Sequence, residues 1–312
     1  MRETIQLIIK GMAMGAANII PGVSGGTIAL ITGIFERLIC AIKSIDLKAV
    51  KLLLAGRFSQ FAAHIDFWFL IRVFAGVGIA ILSLARIFEF LFEQYPVYIW
   101  SFFFGLIVAS VYFVGKTVGK WTTSTAITFI IGAGIALAIS LLSPAVENRN
   151  FFYLILCGAV AVCSMILPGI SGSFVLILMG NYRLVAIEAI NTLDFSVLTP
   201  VLIGMAAGLI AFSHFLSWLF MHYKDQTISL LTGFIFGSLA VIWPWKKIIY
   251  ANDINGAQLT KEGKPVVERY IASLPQQLDA EVFIAVLIMI LGAVTIWLIE
   301  RNASPLNTSK AK

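Results

Sequence analysis

Six stretches of about twenty predominantly apolar residues, at 66–90, 97–115, 124–142, 196–220, 227–245 and 281–299, constrain this chain more than any other feature. A helix of that length crosses roughly 30 Å of hydrocarbon, and the Leu/Ile/Phe-rich, 3.6-residue texture differs from the alternation of a barrel strand. Composition agrees: 60% of the 312 residues are hydrophobic, 12% are charged and the mean hydropathy is +0.95. That leaves too little polar surface to cover a water-soluble globule. The expected fold is an all-α polytopic membrane protein. Arg2 and Lys10 precede no plausible cleavage site, so the N-terminus reads as part of the mature fold.

Two further apolar runs are broken in the same way. Ile19-Ile20-Pro21-Gly22-Val23-Ser24-Gly25-Gly26-Thr27 reappears as Ile166-Leu167-Pro168-Gly169-Ile170-Ser171-Gly172-Ser173-Phe174. Pro-Gly stops a helix, and Ser-Gly opens a new one whose first amides lack intrahelical partners. The broken segments, 5–42 and 152–190, read either as pairs of tight spans or as re-entrant hairpins that enter and leave on one face.

An offset of 147 matches Ile19, Pro21, Gly22, Ser24, Gly25 and Gly33 with Ile166, Pro168, Gly169, Ser171, Gly172 and Gly180. An offset of 128 then matches Asp66, Phe67, Gly76, Tyr95 and Gly105 with Asp194, Phe195, Gly204, Tyr223 and Gly233. The chain therefore reads as two repeats, 1–145 and 151–300, each a broken hairpin followed by three spans. An odd number of crossings per repeat inverts the second copy relative to the first.

Charge orients the whole. Lys43, Lys48, Lys51 and Arg57, then Lys116 and Lys120, then Lys224, then Arg301, Lys310 and Lys312, fall on the cytoplasmic side with both termini. The connection at 93–96 carries no Lys or Arg and falls outside, as does the chain near Glu147 and Arg149. The segment 246–280 breaks the pattern with five basic residues; its Asn255-Gly256 and Glu262-Gly263 turn signals suggest an extracytoplasmic hairpin. Orientation bias explains the net charge of +6, and no nucleic-acid partner is implied. Cys40, Cys157 and Cys163 lack metal-ligand spacing and read as packing residues, and no cofactor is expected.

Two half-helix starts facing each other inside the bilayer would make an anion site, with Ser24, Gly25, Gly26 and Thr27 on one side and Ser171, Gly172 and Ser173 on the other. The plain alternative is a packed kink whose serines cap the freed amides. Arg72 and Arg86 lie 14 residues apart, about 21 Å along one helix, and are candidate phosphate contacts. Pairing with Asp66 or snorkelling is the alternative for Arg72, and pairing with Glu89 for Arg86. His214 aligns with Arg86 and is a candidate coupling or gating group, or else a hydrogen-bonded structural residue. Glu36 and Arg183 align with each other and either gate the site or sit at the interface. Trp100, Trp121, Trp243 and Trp245 suggest interfacial belts.

Asn18 to Thr27 with Gly33 to Glu36, and Met165 to Ser173 with Met179 to Tyr182, resemble the paired signature of a bacterial polyprenyl-phosphate transport family, the PopT-like proteins. The resemblance covers essentially the whole chain. It implies a translocase that returns undecaprenyl phosphate from the outer to the inner leaflet of the cytoplasmic membrane for cell-wall and surface-glycan synthesis. It also favours re-entrant hairpins. The residues themselves specify only an anion site, so a carrier of a small soluble anion is a rival. A membrane enzyme acting on lipid phosphate is a weaker one, since His64, His214 and His222 have no catalytic spacing. Without a nucleotide-binding loop, any coupling would be to a proton or ion gradient, or the flow would follow the lipid gradient.

Overall fold

The computed structural model describes residues 2–19, 24–142, 145–250, 260–261, 264–265, 267–275, 277 and 279–302. Helix α1 (Arg2–Ile19) leads into the first break, of which residues 20–23 lie outside the described set. Beyond it stand α2 (Gly25–Ile31) and α3 (Phe35–Lys43), bent by 117° to each other. The second copy runs through α9 (Phe151–Ile166), α10 (Gly172–Leu178) and a π-helical turn, Leu184–Glu188, continued by α11 (Ala189–Thr192).

Both hairpins are broken twice, and only the Pro-Gly break was evident from the sequence. The second falls at Gly33 and Gly180, whose φ of +72° and +73° turn the chain where an L side chain would be strained. Each second arm is thereby cut to seven residues, about 10 Å of helix. A straight second crossing is excluded.

The remaining helices are α4 (Leu47–Leu54), α5 (Phe58–His64), α6 (Phe67–Gln94), α7 (Pro96–Gly115), α8 (Thr123–Ser140), α12 (Phe195–His222), α13 (Lys224–Ser238) and α14 (Ala280–Asn302). The loop that lacks a counterpart in the second copy is thus the helical pair α4 and α5. Among the described residues five helices are long and apolar enough to cross a membrane, α6 over Phe67–Leu84, α7, α8, α12, and α14 over Ala280–Leu298, or six if the bent pair α2 and α3 is one span. Their outward faces carry Leu82, Ile130 and Phe283 at 87%, 67% and 68% exposure, suited to lipid and not to water. The protein is a multi-pass membrane protein.

The expected span at 227–245 is a correction. Helix α13 is only 15 residues long and stops at Ser238, after which the chain turns through buried Pro244. Ten of its residues are buried, so its apolar run reflects protein packing and not lipid contact. The polar segment that follows forms β1 (Lys246–Tyr250) paired antiparallel with β4 (Val267–Ala272), with the short pair β2 (Thr260–Lys261) and β3 (Lys264–Pro265). A hairpin was expected there.

Packing follows the duplication. Helix α1 lies on α6 as α9 lies on α12, while α7 crosses to α14 and α8 to α13. Glycines mark these approaches. Gly11 abuts the Val73 carbonyl and Gly158 that of Val201; Gly76 abuts Ile8 and Gly204 abuts Ile155. Between the copies, Gly105 meets Met289 and Gly233 meets Phe129, whereas Gly132 meets Leu230 and Gly292 meets Phe102. Offsets of 147 and 128 carry each of the first contacts into its counterpart; between the copies, 128 carries Gly105 to Gly233 and Phe102 to Leu230, and a further offset of 160 carries Phe129 to Met289 and Gly132 to Gly292. The main core collects residues from α1, α2, α3, α6, α7, α12, α13 and α14, and the tips sit within the bundle they form.

Candidate functional site

The two tips meet. In the first, Ser24 is the extended N-cap of α2 and its hydroxyl oxygen accepts from the Gly26 amide at 3.1 Å. The Gly25 amide donates to Asn18 Oδ1 at 2.7 Å and the Thr27 amide to the Ser24 carbonyl at 3.0 Å. All three opening amides are thus bonded inside the protein. Ser24 and Thr27 are 1% and 0% exposed.

These residues also hold the second tip. The Ser24 hydroxyl donates to the Met165 carbonyl at 3.3 Å, and Thr27 Oγ1 accepts from the Gly169 amide at 3.0 Å. A Cβ on Gly26 would stand 2.5 Å from the Ile166 carbonyl oxygen, so only glycine lets the tips approach this closely.

The second tip is finished differently. Ser171, extended before α10, accepts from the Phe174 amide at 3.2 Å and lies 3.3 Å from the Ser173 hydroxyl. Among the described residues the amides of Gly172 and Ser173 have no hydrogen-bond partner. Ser171 and Ser173 are half-buried and Gly172 is buried. Two unbonded N–H groups and two hydroxyls in one place are a donor set for an oxyanion.

The charged candidates divide. Arg72 is half-buried within α6 and has no ion-pair partner among the described residues. Asp66, its alternative partner, is taken by Arg37, with Nε–Oδ2 2.7 Å and Nη2–Oδ1 3.2 Å. The Arg37 guanidinium also lies 4.3 Å over the Phe69 ring. The side chains of Arg86 and Glu89 lie outside the described residues.

His214 does not enter the interior: it is exposed on α12, with Nδ1 2.9 Å from the Ile210 carbonyl one turn back. Glu36 and Arg183 are exposed and engaged away from the tips. Glu36 pairs with Lys224 at 2.8 Å, tying α3 to α13, and Arg183 pairs with Glu188 at 3.2 Å. Glu188 also meets Arg149 at 3.1 Å. Cys157 is buried and Cys163 half-buried, whereas Cys40 is exposed on α3 and is no packing residue.

Sequence reasoning missed Asn18 and Lys10. Asn18 lies seven residues before the amide it caps, a separation that only the chain reversal bridges. Lys10 Nζ donates to the Thr32 carbonyl at 2.7 Å, at the C-terminal end of α2. The aligned carbonyl, Met179, accepts instead from the Tyr153 hydroxyl at 2.9 Å. One copy closes its short arm with a cation and the other with a neutral phenol.

A duplicated bundle closed around two joined helix breaks, one with oxyanion donors to spare, places the chain in the class of multi-pass membrane proteins with discontinuous helices inside the bundle. A family profile described as VCA0040-like, undecaprenyl phosphate translocase-like, matches residues 14–259. The chain is 39% identical over 292 residues to a polyprenyl-phosphate transporter of Vibrio cholerae, covering 92% of this chain and 93% of that one. It is 33% identical over 254 residues to a polyprenyl-phosphate transporter of Staphylococcus aureus, covering 76% of this chain and 85% of that one. No solved structure matches it. The chain belongs to the undecaprenyl phosphate translocase-like family.

Proposed function

We propose that this protein is a secondary transporter that moves a polyprenyl phosphate, undecaprenyl phosphate foremost, from the outer to the inner leaflet of the bacterial cytoplasmic membrane, with both termini cytoplasmic. The observation that carries the reading is the second tip, where the Gly172 and Ser173 amides have no partner among the described residues and stand beside the Ser171 and Ser173 hydroxyls. A phosphate monoester accepts hydrogen bonds from such donors while its apolar tail stays in lipid. Arg72, with no ion-pair partner among the described residues, supplies countercharge.

The first tip acts as the clamp. Its own donors are engaged, and Ser24 and Thr27 hold the second tip in the geometry that leaves its amides open. Inverted repeats with re-entrant hairpins supply the motion, one half rocking against the other about the joined tips. The symmetric glycine contacts support a quasi-twofold relation between the halves. The chemistry needed is binding and release, not bond cleavage, and the reading is therefore of a transporter and not an enzyme.

The test is leaflet-to-leaflet movement of a polyprenyl phosphate in proteoliposomes, with and without a proton gradient. Wild type is expected to move it, and Ser171→Ala/Ser173→Ala to lose most of that movement while remaining folded. Folded wild type that moves no polyprenyl phosphate in either condition, but takes up a small soluble anion, overturns the reading. Unchanged movement in the double variant takes the phosphate away from this tip.

A further inference from the structure

A second cation stands at the end of the bundle where α6 turns into α7. Lys246 opens β1, and its Nζ lies 3.8 Å from the Trp100 ring centroid on α7. Trp100 is braced edge-on by Phe92 of α6 at 5.2 Å. Trp243, three residues before Lys246, packs at 5.2 Å on Phe104 of α7 and at 5.6 Å on Trp245, and its indole N–H donates to the Ser273 carbonyl at 2.8 Å. The indole face under the ammonium is thus braced by Phe92, and a second aromatic group stands on the same helix.

No carboxylate among the described residues pairs with Lys246. The nearest elements offer little. Helices α6 and α7 present Phe92, Trp100 and Phe104, and the turn after α13 presents Trp243 and Trp245. At the start of α14, Asp279 accepts from the Val282 amide at 3.1 Å, and together with Glu281 and Trp245 it borders a neighbouring open cavity of about 290 Å³. Burial without a counter-ion pushes the Lys246 amine down to about 8. A half-buried ammonium held on an indole face gains most from an anion brought to it, and lysine binds phosphate as a point charge.

We infer that Lys246, seated on Trp100, is a docking site for the headgroup of a lipid phosphate at this mouth of the bundle, separate from the tips. The occupant is a phosphate ester with an apolar tail: the ammonium takes the phosphate, and the aromatic frame at the helix ends suits the junction with the tail. Its role as a stop on the way to the tips rests on the function proposed above; binding at Lys246 does not.

The indoles report their own occupancy. Tryptophan fluorescence of the full chain in phosphatidylcholine nanodiscs is titrated with a short-chain polyprenyl phosphate, with phosphatidylglycerol and with inorganic phosphate. Wild type, Lys246→Gln and Lys246→Arg are compared. The polyprenyl phosphate is expected to bind wild type and Lys246→Arg alike and Lys246→Gln at least about fivefold more weakly. In wild type affinity falls as pH rises through about 8, where the amine loses its charge, and in Lys246→Arg it does not. Phosphatidylglycerol binding as tightly as the polyprenyl phosphate supports the site and names the bulk anionic lipid as its occupant. An unchanged titration in folded Lys246→Gln, or equal binding of inorganic phosphate, overturns it. Wild type that binds here yet moves no lipid in proteoliposomes overturns the transport reading and leaves the docking site standing.

Discussion

The two tips descend from one motif, yet they are in different states. At the first, Ser24 and Thr27 are buried and the amides of Gly25, Gly26 and Thr27 are all bonded. At the second, Ser171 and Ser173 are half-buried and two amides have no partner among the described residues. The difference is written in two aligned pairs of side chains. Asn18 caps Gly25, whereas its counterpart Met165 has no oxygen to offer Gly172. Thr27 receives the Gly169 amide, whereas its counterpart Phe174 has no acceptor to return. The backbone break is alike at both tips and the side chains differ; under the proposed function the first tip holds and the second binds.

The largest test of that division is Gly169→Ala. A Cβ there meets the Phe234 carbonyl at 2.6 Å on a backbone whose φ is +86°, so strain and overlap add. The expected loss is at least about 3 kcal/mol, read as failure to fold or a large fall in melting temperature in detergent. A variant that melts like wild type would break the claim that the second tip is pinned against α13 on a left-handed backbone.

Next comes Ser171→Ala/Ser173→Ala. Hydrogen bonds to a charged group contribute about 1.5–3 kcal/mol each, so transport should fall at least about tenfold. Melting should fall only by the loss of a cap, about 1 kcal/mol. The first tip should show the reverse, since Thr27→Val leaves a buried amide unsatisfied and should cost about 1–3 kcal/mol of stability. Thr27→Ser, which keeps the oxygen, should melt near wild type; if it melts like valine, the hydroxyl is not the clamp. The smallest effect is expected from Glu36→Gln, which removes an exposed ion pair with Lys224 and should change stability by less than about 1 kcal/mol. A large transport loss in this folded variant would return Glu36 to the gating role that its alignment with Arg183 suggested.

Much of the architecture was legible in the sequence because it follows from properties of short stretches. Apolar length marked α6, α7, α8, α12 and α14, and Pro-Gly marked the first break in each hairpin. The same criterion failed at 227–245. An apolar run buried in protein reads like one facing lipid, and only the contacts of α13 with α8 and α7 distinguish them. The break at Gly33 and Gly180 was visible as an aligned glycine pair, but a glycine becomes a chain reversal only when packing selects its positive φ. Arg72 illustrates the same limit. Its unpaired state depends on Arg37, 35 positions earlier, taking Asp66 first.

The sequence by itself therefore determined that this is a membrane bundle built from two copies of a unit with a broken helix, because hydropathy, helix breaking and repetition are written in neighbouring residues. The tertiary structure decided which serines and amides are free, which arginine lacks a partner and which apolar run stays inside. Those outcomes depend on atoms that folding brings within about 3 Å across separations from 7 residues, Asn18 with Gly25, to 142, Thr27 with Gly169, and no local pattern encodes those encounters.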